Sequence, residues 1–258
     1  GSKEERLTAF MNAIAEVYAS IFAPDPIEYR RERGLLDFRE EMGILIQQVV
    51  GSRIGKYFLP SFAGVAFSYN ELRWSQRLKR EDGVVRIVAG MGTRAVDRTI
   101  DDYPSLISPG QPGLKINQTT EERIRYSQKF VDVINMETNS FETVDFRDLI
   151  YEARGYFKGL EQIVSINKEG ELTDPVSAFM DFKKEDLVLT FYNLSVRSPL
   201  FTQLKQILTR YPGSSPVNLQ LWLDDAVCRM TLGPDYCIRP ASGLYKELEQ
   251  WKRDLEAS

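Results

Sequence analysis

The chain has 258 residues, a net charge of −4 and no histidine. Its composition, 43% hydrophobic and 27% charged, is typical of a soluble globular protein and excludes collagen-like, disordered and disulfide-scaffold classes. The acidic balance gives no electrostatic reason to expect binding to nucleic acid or to an anionic membrane. Without histidine, this chain alone has no Ser-His-Asp triad, no histidine metal site and no phosphohistidine.

The cysteines and the apolar runs favour a cytoplasmic protein. Cys228 and Cys237 are nine residues apart, a spacing typical of neither a CxxC redox pair nor a zinc site. No apolar run approaches the roughly 20 residues of a membrane span, and the start of the chain is too charged for a signal peptide. We therefore expect buried thiols in a reducing compartment and no membrane partner.

The first segment is predicted to be a helix. Its apolar residues are three and four positions apart, which keeps them on one face: Leu7, Phe10, Ile14, Val17 and Ile21. Ser2 and Glu5 fit a capping box at its start, and Pro24 and Pro26 are expected to end it. A short charged helix is predicted to follow at about 27–33.

The rest of the chain alternates between strands and short helices. Apolar segments that predict strands lie at 42–50, 63–68, 84–89, 130–135 and 187–191. The last quarter predicts a helix at 200–208, a strand at 217–223 because its apolar residues alternate, and a terminal amphipathic helix at 244–255. The fold class is therefore predicted to be mixed α+β.

A glycine pair follows the predicted strand at 84–89. Residues 90–95 read Gly-Met-Gly-Thr-Arg-Ala and match the GxGxxA pattern of dinucleotide-binding folds. Only a few helix-compatible residues follow before Asp-Asp-Tyr-Pro at 101–104, and no acidic residue closes a second strand about 20 positions later. A glycine turn with Arg94 at its edge fits better than a Rossmann site.

Three arginines crowd the short second helix: Arg30, Arg31 and Arg33. Such a cluster is a solvated helix face or a phosphate contact, since a guanidinium offers a planar fork to phosphate oxygens. The spacing alone leaves both interpretations open.

Several segments in a fixed order carry a resemblance to a known family. They are Ala-Glu-Val-Tyr-Ala-Ser at 15–20, Tyr-Arg at 29–30, Met-Gly-Ile-Leu-Ile-Gln at 42–47, Gly-Val-Ala-Phe-Ser at 64–68, Gly-Met-Gly-Thr-Arg-Ala-Val-Asp-Arg at 90–98, Asp-Asp-Tyr-Pro at 101–104 and the segment 132–144. Over about residues 3–195 the chain resembles the nucleotide-binding domain of phosphoenolpyruvate synthase and pyruvate phosphate dikinase. The resemblance implies an ATP-grasp fold, in which ATP lies between two α+β subdomains.

The resemblance also implies nucleotide-binding residues. Gln47, Gln48 and Val50 would belong to the hinge whose backbone groups read the adenine edge. Arg30 falls on the family's Tyr-Arg motif. Thr93 and Arg94 stand where most relatives carry Gly-Leu-Gly-Glu, so the role of that glutamate is not carried over directly.

The end of the domain departs from the family pattern. The family's Pro-Val-Asp-Ile-Glu-Phe strand carries two acids that help to hold Mg-ATP, and here those positions are Asn218 and Gln220. Neutral amides bind Mg²⁺ more weakly than carboxylates do, so weak or absent Mg²⁺ binding is expected. Arg239 retains the family's Arg-Pro, with Cys237 in place of a glutamine.

Two further departures concern the ends. The family's Arg-Ser-Ser lid segment does not precede Lys3. From Ser198 onward the chain also loosely resembles the C-terminal module of bacterial replicative polymerase alpha subunits, which makes a polymerase-associated module a third, distant function. We expect an ATP-grasp-like region at 1–195 and a divergent part at 196–258, packed on the same domain.

The resemblance implies an ATP-binding portion of a dikinase. A histidine on another domain would accept phosphate from ATP, so this chain would be inactive alone. Its partners would be the phosphohistidine and phosphoenolpyruvate/pyruvate domains. The alternative is a non-catalytic binding or assembly module with a degenerate metal site, which the amide pair and the missing lid favour.

Overall fold

The computed structural model describes residues 2–39, 43, 44, 46, 49, 51–96, 102–153, 157, 159–175, 182–209 and 219–223. The chain divides into two compact units, Gly1–Gln48 and Val49–Ser258. All strands among the described residues belong to the second unit. The expected boundary between residues 195 and 196 stays a prediction.

The first unit begins with helix α1, Lys3–Ala19. The predicted capping box is present: the Glu5 N–H donates to Ser2 Oγ over 3.2 Å, and the Ser2 N–H donates to Glu5 Oε2 over 2.7 Å. Two of the four N–H groups that a helix start leaves unpaired are thereby satisfied. The predicted apolar stripe is present in the sequence, but no residue of α1 is buried.

A single 3-10 turn, Ser20–Phe22, joins α1 to helix α2, Pro24–Glu32. The prediction that the two prolines end α1 is not met: α1 ends at Ala19, and both prolines lie in the first turn of α2. Proline suits that position, because its fixed φ is helical and the N–H that it lacks would have no intrahelical partner. The charged helix predicted at 27–33 therefore starts three residues earlier.

Residues 3–32 also meet a length-and-composition criterion for a helix that could cross a membrane. The stretch of 30 residues comprises both helices and the turn between them, so by length and composition it contradicts the expectation that no segment of the chain is suited to span a membrane. A signal sequence or a core helix of a soluble protein meets the same criterion, so this finding assigns no location.

The second unit is built from short antiparallel strands. In chain order they are β1 Ser52–Ile54, β2 Tyr57–Leu59, β3 Phe62–Phe67, β4 Val84–Val88, β5 Ser105–Ile107, β6 Phe130–Asn135, β7 Ser140–Asp145, β8 Val164–Lys168, β9 Glu171–Thr173, β10 Leu187–Leu189 and β11 Leu219–Leu223. They form three sheets with the orders β1-β2-β6-β7, β11-β3-β4-β5 and β10-β8-β9.

In the part of the second unit that the structure describes, six helices accompany these strands. They are α3 Thr93–Val96, α4 Thr120–Arg125, α5 Phe146–Glu152, α6 Leu160–Ile163, α7 Tyr192–Arg197 and α8 Leu200–Thr209. Helices and antiparallel sheets together confirm the predicted α+β class.

Most of the predicted elements can be compared with the structure. The strands predicted at 63–68, 84–89, 130–135 and 187–191 correspond to β3, β4, β6 and β10, and the predicted helix at 200–208 corresponds to α8. The predicted strand at 217–223 contains β11. Most of the segment 42–50, the terminal helix at 244–255 and both cysteines lie outside the described residues.

The core of the second unit contains the inward face of β6. Val131 and Val133 are both fully buried. They pack in one apolar cluster with residues of β4, α5 and α8, among them Val85, Phe146 and Leu204. Because successive side chains of a strand point to opposite faces, the residue between the two valines points away from this cluster. That residue is Asp132, and it organises the candidate site.

Candidate functional site

The glycine turn at the end of β4 lies against strand β6. Gly90 and Gly92 have φ values of +85° and +88°, which L-residues with a side chain rarely adopt. A Cβ at Gly90 would contact the Val131 side chain and would lie 2.6 Å from the Asp132 carbonyl oxygen. The Met91 N–H donates to that same carbonyl over 3.1 Å. Only glycine at position 90 allows this close approach of the two backbones.

A buried glutamine fastens the end of β4. The Ala89 N–H donates to Gln128 Oε1 over 2.7 Å, and Gln128 Nε2 donates back to the Ala89 carbonyl over 3.1 Å. The same Nε2 also donates to the Phe130 carbonyl over 2.7 Å. A side-chain amide thus satisfies backbone groups of Ala89, just past the last residue of β4.

Asp132 receives the side chains of the turn that follows. Thr93 Oγ1 donates to Asp132 Oδ2, and Arg94 Nε donates to Asp132 Oδ1 over 3.1 Å. Thr143, on the neighbouring strand β7, donates to Oδ1 over 2.7 Å. Asp132 is only 6% exposed. Its carboxylate therefore joins the start of α3 to the sheet that contains β6.

Arg94 also pairs with a second buried carboxylate. Its Nη1 donates to Asp102 Oδ2 over 3.0 Å, and Asp102 is 4% exposed. The carboxylate of Asp102 also accepts the N–H groups of Lys129 and Phe130, over 2.7 and 3.1 Å. The arginine therefore ties the glycine turn to two other parts of the chain.

The charged groups of this cluster are paired and hydrogen-bonded. A buried carboxylate or guanidinium is tolerated when it is paired and its remaining hydrogen-bonding atoms are satisfied. Asp102 and Asp132 supply two negative charges to the one positive charge of Arg94, whose side chain is 15% exposed. The guanidinium is consequently held inside the protein, where it fixes the shape of the turn.

The structure brings the predicted residues Thr93 and Arg94 together on one carboxylate. Sequence reasoning missed the partners that hold them, Asp102, Asp132 and Gln128. Asp102 and Asp132 lie within segments that carried the family resemblance, Asp-Asp-Tyr-Pro and 132–144. A carboxylate between two valines in an apolar strand is a signal that could have identified Asp132, because a buried charge needs a partner.

Arg30 belongs to the first unit, where it contacts the backbone. Its Nη2 donates to the Ile21 carbonyl over 2.6 Å, and its Nε donates to the Pro26 carbonyl over 3.3 Å. These bonds satisfy one carbonyl in the 3-10 turn and one in the first turn of α2. A contact between Arg30 and phosphate stays a prediction.

Gln47, Gln48, Val50, Asn218 and Arg239 lie outside the described residues.

The backbone of Gln220 is placed in β11. It pairs with Val65 of β3, which in turn pairs with Arg86 of β4. Arg86 precedes Gly90 by four residues, or roughly 13 Å along a strand. Gln220 therefore lies in the same sheet as β4, two strands away from it. Along the sheet it is level with Arg86, and not with the end of β4 that leads into the glycine turn.

The described residues contain no group of three or more His, Cys, Asp or Glu side chains that could hold a metal ion. Asp102 and Asp132 are both engaged with Arg94 and with N–H or O–H donors. The cluster around Arg94 therefore acts as an ion-pair network.

Comparison with known proteins agrees with the order of the sequence segments. The family model described as Pyruvate phosphate dikinase, AMP/ATP-binding domain matches residues 3–198. Searches of curated proteins and of solved structures give no significant match. The family match covers about three quarters of the chain and includes the glycine turn, Asp102 and Asp132. The chain therefore belongs to the pyruvate phosphate dikinase AMP/ATP-binding domain family.

Proposed function

We propose that the chain is the ATP-binding portion of a phosphoenolpyruvate-synthase-like dikinase. The observation that carries this proposal is the family match over residues 3–198. In such a relay a histidine accepts the phosphoryl group that ATP supplies, and this chain has no histidine. The acceptor histidine and the phosphoenolpyruvate/pyruvate site would therefore be on other domains, and this chain would be inactive alone. We also propose a cytoplasmic location, on the basis of composition.

The glycine turn supports a nucleotide site at the end of β4. Gly92 has a φ of +88°, and a Cβ there would lie 2.9 Å from the Ala63 Cβ, so the turn also lies close to β3. Backbone that is fixed in this way on two strands offers N–H groups in a constant position, which is how glycine-rich turns bind phosphates. The turn would contribute part of the ATP site, and the roles that the resemblance implies for Arg30, for the hinge at 47–50 and for Arg239 stay predictions.

The role of Arg94 in such a site would be positional. Two carboxylates already engage its guanidinium, over 3.0 and 3.1 Å. A phosphate group would have to displace one of them to pair with this arginine. We therefore assign Arg94 and Thr93 to holding the turn, and not to direct neutralisation of phosphate charge.

The second candidate function is a non-catalytic ATP-grasp-like binding or assembly module. The neutralised Arg94 favours it, as does the replacement of the family's acid pair by Asn218 and Gln220. Mg²⁺ prefers anionic oxygen ligands, so its contribution to ATP binding in this chain would be small.

Calorimetric titration of the chain with ATP and with AMP, each with and without Mg²⁺, tests these proposals. We expect ATP to bind with little dependence on Mg²⁺, and no consumption of ATP above the blank when pyruvate is added. Tight binding that requires Mg²⁺ would contradict the degenerate metal site. Absence of nucleotide binding in a folded chain would favour the binding or assembly module, and turnover of ATP with pyruvate would contradict both proposals.

A further inference from the structure

A cleft beside strand β5 lies on the second unit, apart from the glycine turn. It opens to solvent and has a cavity volume of about 80 Å³. Its walls are strand β5, the loop that follows it, helix α4, and the segment from the end of β10 into α7. None of the residues for which we predicted nucleotide binding lines it.

Two cations and a tyrosine dominate this cleft. Lys115 Nζ lies 3.8 Å from the centroid of the Tyr192 ring, and the guanidinium carbon of Arg123 lies 5.7 Å from the same centroid. Cations within about 6 Å of an aromatic ring are attracted to its face. Two positive charges therefore lie close to the Tyr192 ring, at one side of the cleft.

These positive charges are poorly compensated. Partial burial lowers the pKa of Lys115, the neighbouring charge of Arg123 lowers it further, and Asp174 acts in the opposite direction. Among the described residues the contacts of both side chains are with the Tyr192 ring and not with a hydrogen-bond or ion-pair partner, and no acidic residue lines the cleft. Asp174 itself accepts a hydrogen bond from Ser165 over 2.6 Å.

The walls of the cleft are fixed by the fold. The N–H groups of Thr190 and Phe191 both donate to the Ile163 carbonyl over 2.9 Å, which sets the start of α7 and hence Tyr192. On the other side, the indole N–H of Trp74 donates to the Leu114 carbonyl over 3.2 Å, next to Lys115. Hydrogen bonds therefore hold the backbone next to Lys115 and at Tyr192 on the two sides of the cleft.

We propose that this cleft binds the phosphate group of a small phosphorylated ligand between Lys115 and Arg123. A phosphate monoester carries about −1.5 to −2 charges near pH 7, which matches two cations better than a single carboxylate does. The guanidinium offers a planar fork to two phosphate oxygens, and the ammonium supplies a compact charge. The rings of Tyr126 and Tyr192 leave an aromatic surface for the rest of the ligand. This inference does not depend on the proposed nucleotide site.

Calorimetric titration of the full chain with pyrophosphate at low ionic strength tests the proposal. Lys115→Gln and Arg123→Gln should each weaken binding by about tenfold or more, because each removes a charge-assisted contact. Arg77→Gln is the matched control: it removes the same charge from an exposed residue that does not line the cleft and should leave the affinity within about twofold. Circular dichroism verifies that each variant is folded, and Tyr192→Phe, which keeps the ring, should retain binding.

Competition with ATP distinguishes the source of the phosphate. If pyrophosphate still binds when ATP is saturating, or when ATP does not bind at all, the cleft is a separate phosphate site. If ATP displaces pyrophosphate and both glutamine variants weaken ATP, the ligand of the cleft is the nucleotide itself. The proposal is overturned if pyrophosphate does not bind, or if it binds equally to the parent chain and to both variants.

Discussion

Arg94 and Asp132 join the glycine turn to strand β6 through a buried ion pair, with 3.1 Å between Arg94 Nε and Asp132 Oδ1. The pair connects residues 38 positions apart in the chain. Because Asp132 also accepts hydrogen bonds from the hydroxyl groups of Thr93 and Thr143, one carboxylate sets the position of the turn relative to two strands. The shape of any site at the end of β4 therefore depends on β6.

Replacement of Asp132 by asparagine should destabilise the protein. Asp132→Asn keeps the size of the side chain but replaces one acceptor oxygen by an NH2 group that faces the donors of Thr93, Arg94 and Thr143, so we expect a loss of about 2 kcal/mol in the free energy of unfolding. Urea unfolding measures this loss. Glu137→Gln, which removes an equal charge from an exposed residue, should change stability by less than about 0.5 kcal/mol. An Asp132→Asn variant as stable as the parent would show that the ion pair contributes nothing.

Replacement of Gly90 by alanine should also destabilise the protein. The new Cβ would contact Val131 and the Asp132 carbonyl, at a φ of +85°, so we expect a loss of about 2 kcal/mol or more. Gly113→Ala is the control, because nothing lies within 4 Å of a Cβ there and its φ lies outside the left-handed region. Thermal unfolding compares the two, and equal melting temperatures would mean that the turn relaxes away from β6.

The sequence predicted the strands and helices because hydrophobic periodicity is a local property. Strands β3, β4 and β6 follow from short apolar segments, and the capping box at Ser2 and Glu5 follows from two residues three positions apart. The order of the motifs also indicated the family. These predictions required no knowledge of which segments meet in space.

The contacts of the site could not be predicted in the same way. The bond between Gln128 and Ala89 spans 39 residues. Lys115 and Tyr192 of the cleft beside β5 belong to segments whose spacing in the chain carries no periodic signal. The sequence identified Arg94 as a residue at the edge of a turn, but only the fold shows that two carboxylates surround it. Long-range partners of charged groups depend on the sheet order and on register.

The pH dependence of stability should include a contribution from Glu142. Its pKa is lowered chiefly by a hydrogen bond from the Asn135 side chain, with further bonds from Ser140 and Thr138 and the charge of Lys56. A carboxyl group whose pKa is lower in the folded state contributes stability above its unfolded pKa of about 4.3, and this stability is lost as the pH falls through the folded value. NMR titration should place the midpoint of Glu142 below the ordinary glutamate value, and Glu142→Gln should make the acid limb of the stability curve shallower. A midpoint at or above the ordinary value would contradict this prediction.

Restoration of the family's acid pair should increase the effect of Mg²⁺ on ATP binding. The double variant Asn218→Asp, Gln220→Glu restores two carboxylates at the positions where the family's Pro-Val-Asp-Ile-Glu-Phe strand carries its acids. Carboxylate oxygens are the ligands that Mg²⁺ prefers, and we expect tighter ATP binding in the presence of Mg²⁺ than without it. Calorimetry measures the two affinities, with Gln111→Glu, Gln206→Glu as a control that adds the same charge at two exposed positions.

If the double variant is folded by circular dichroism and its ATP affinity does not respond to Mg²⁺, strand β11 does not carry the family's metal site. The backbone pairing of Gln220 with Val65, two strands away from the glycine turn, would then mark this strand as a structural edge of the sheet.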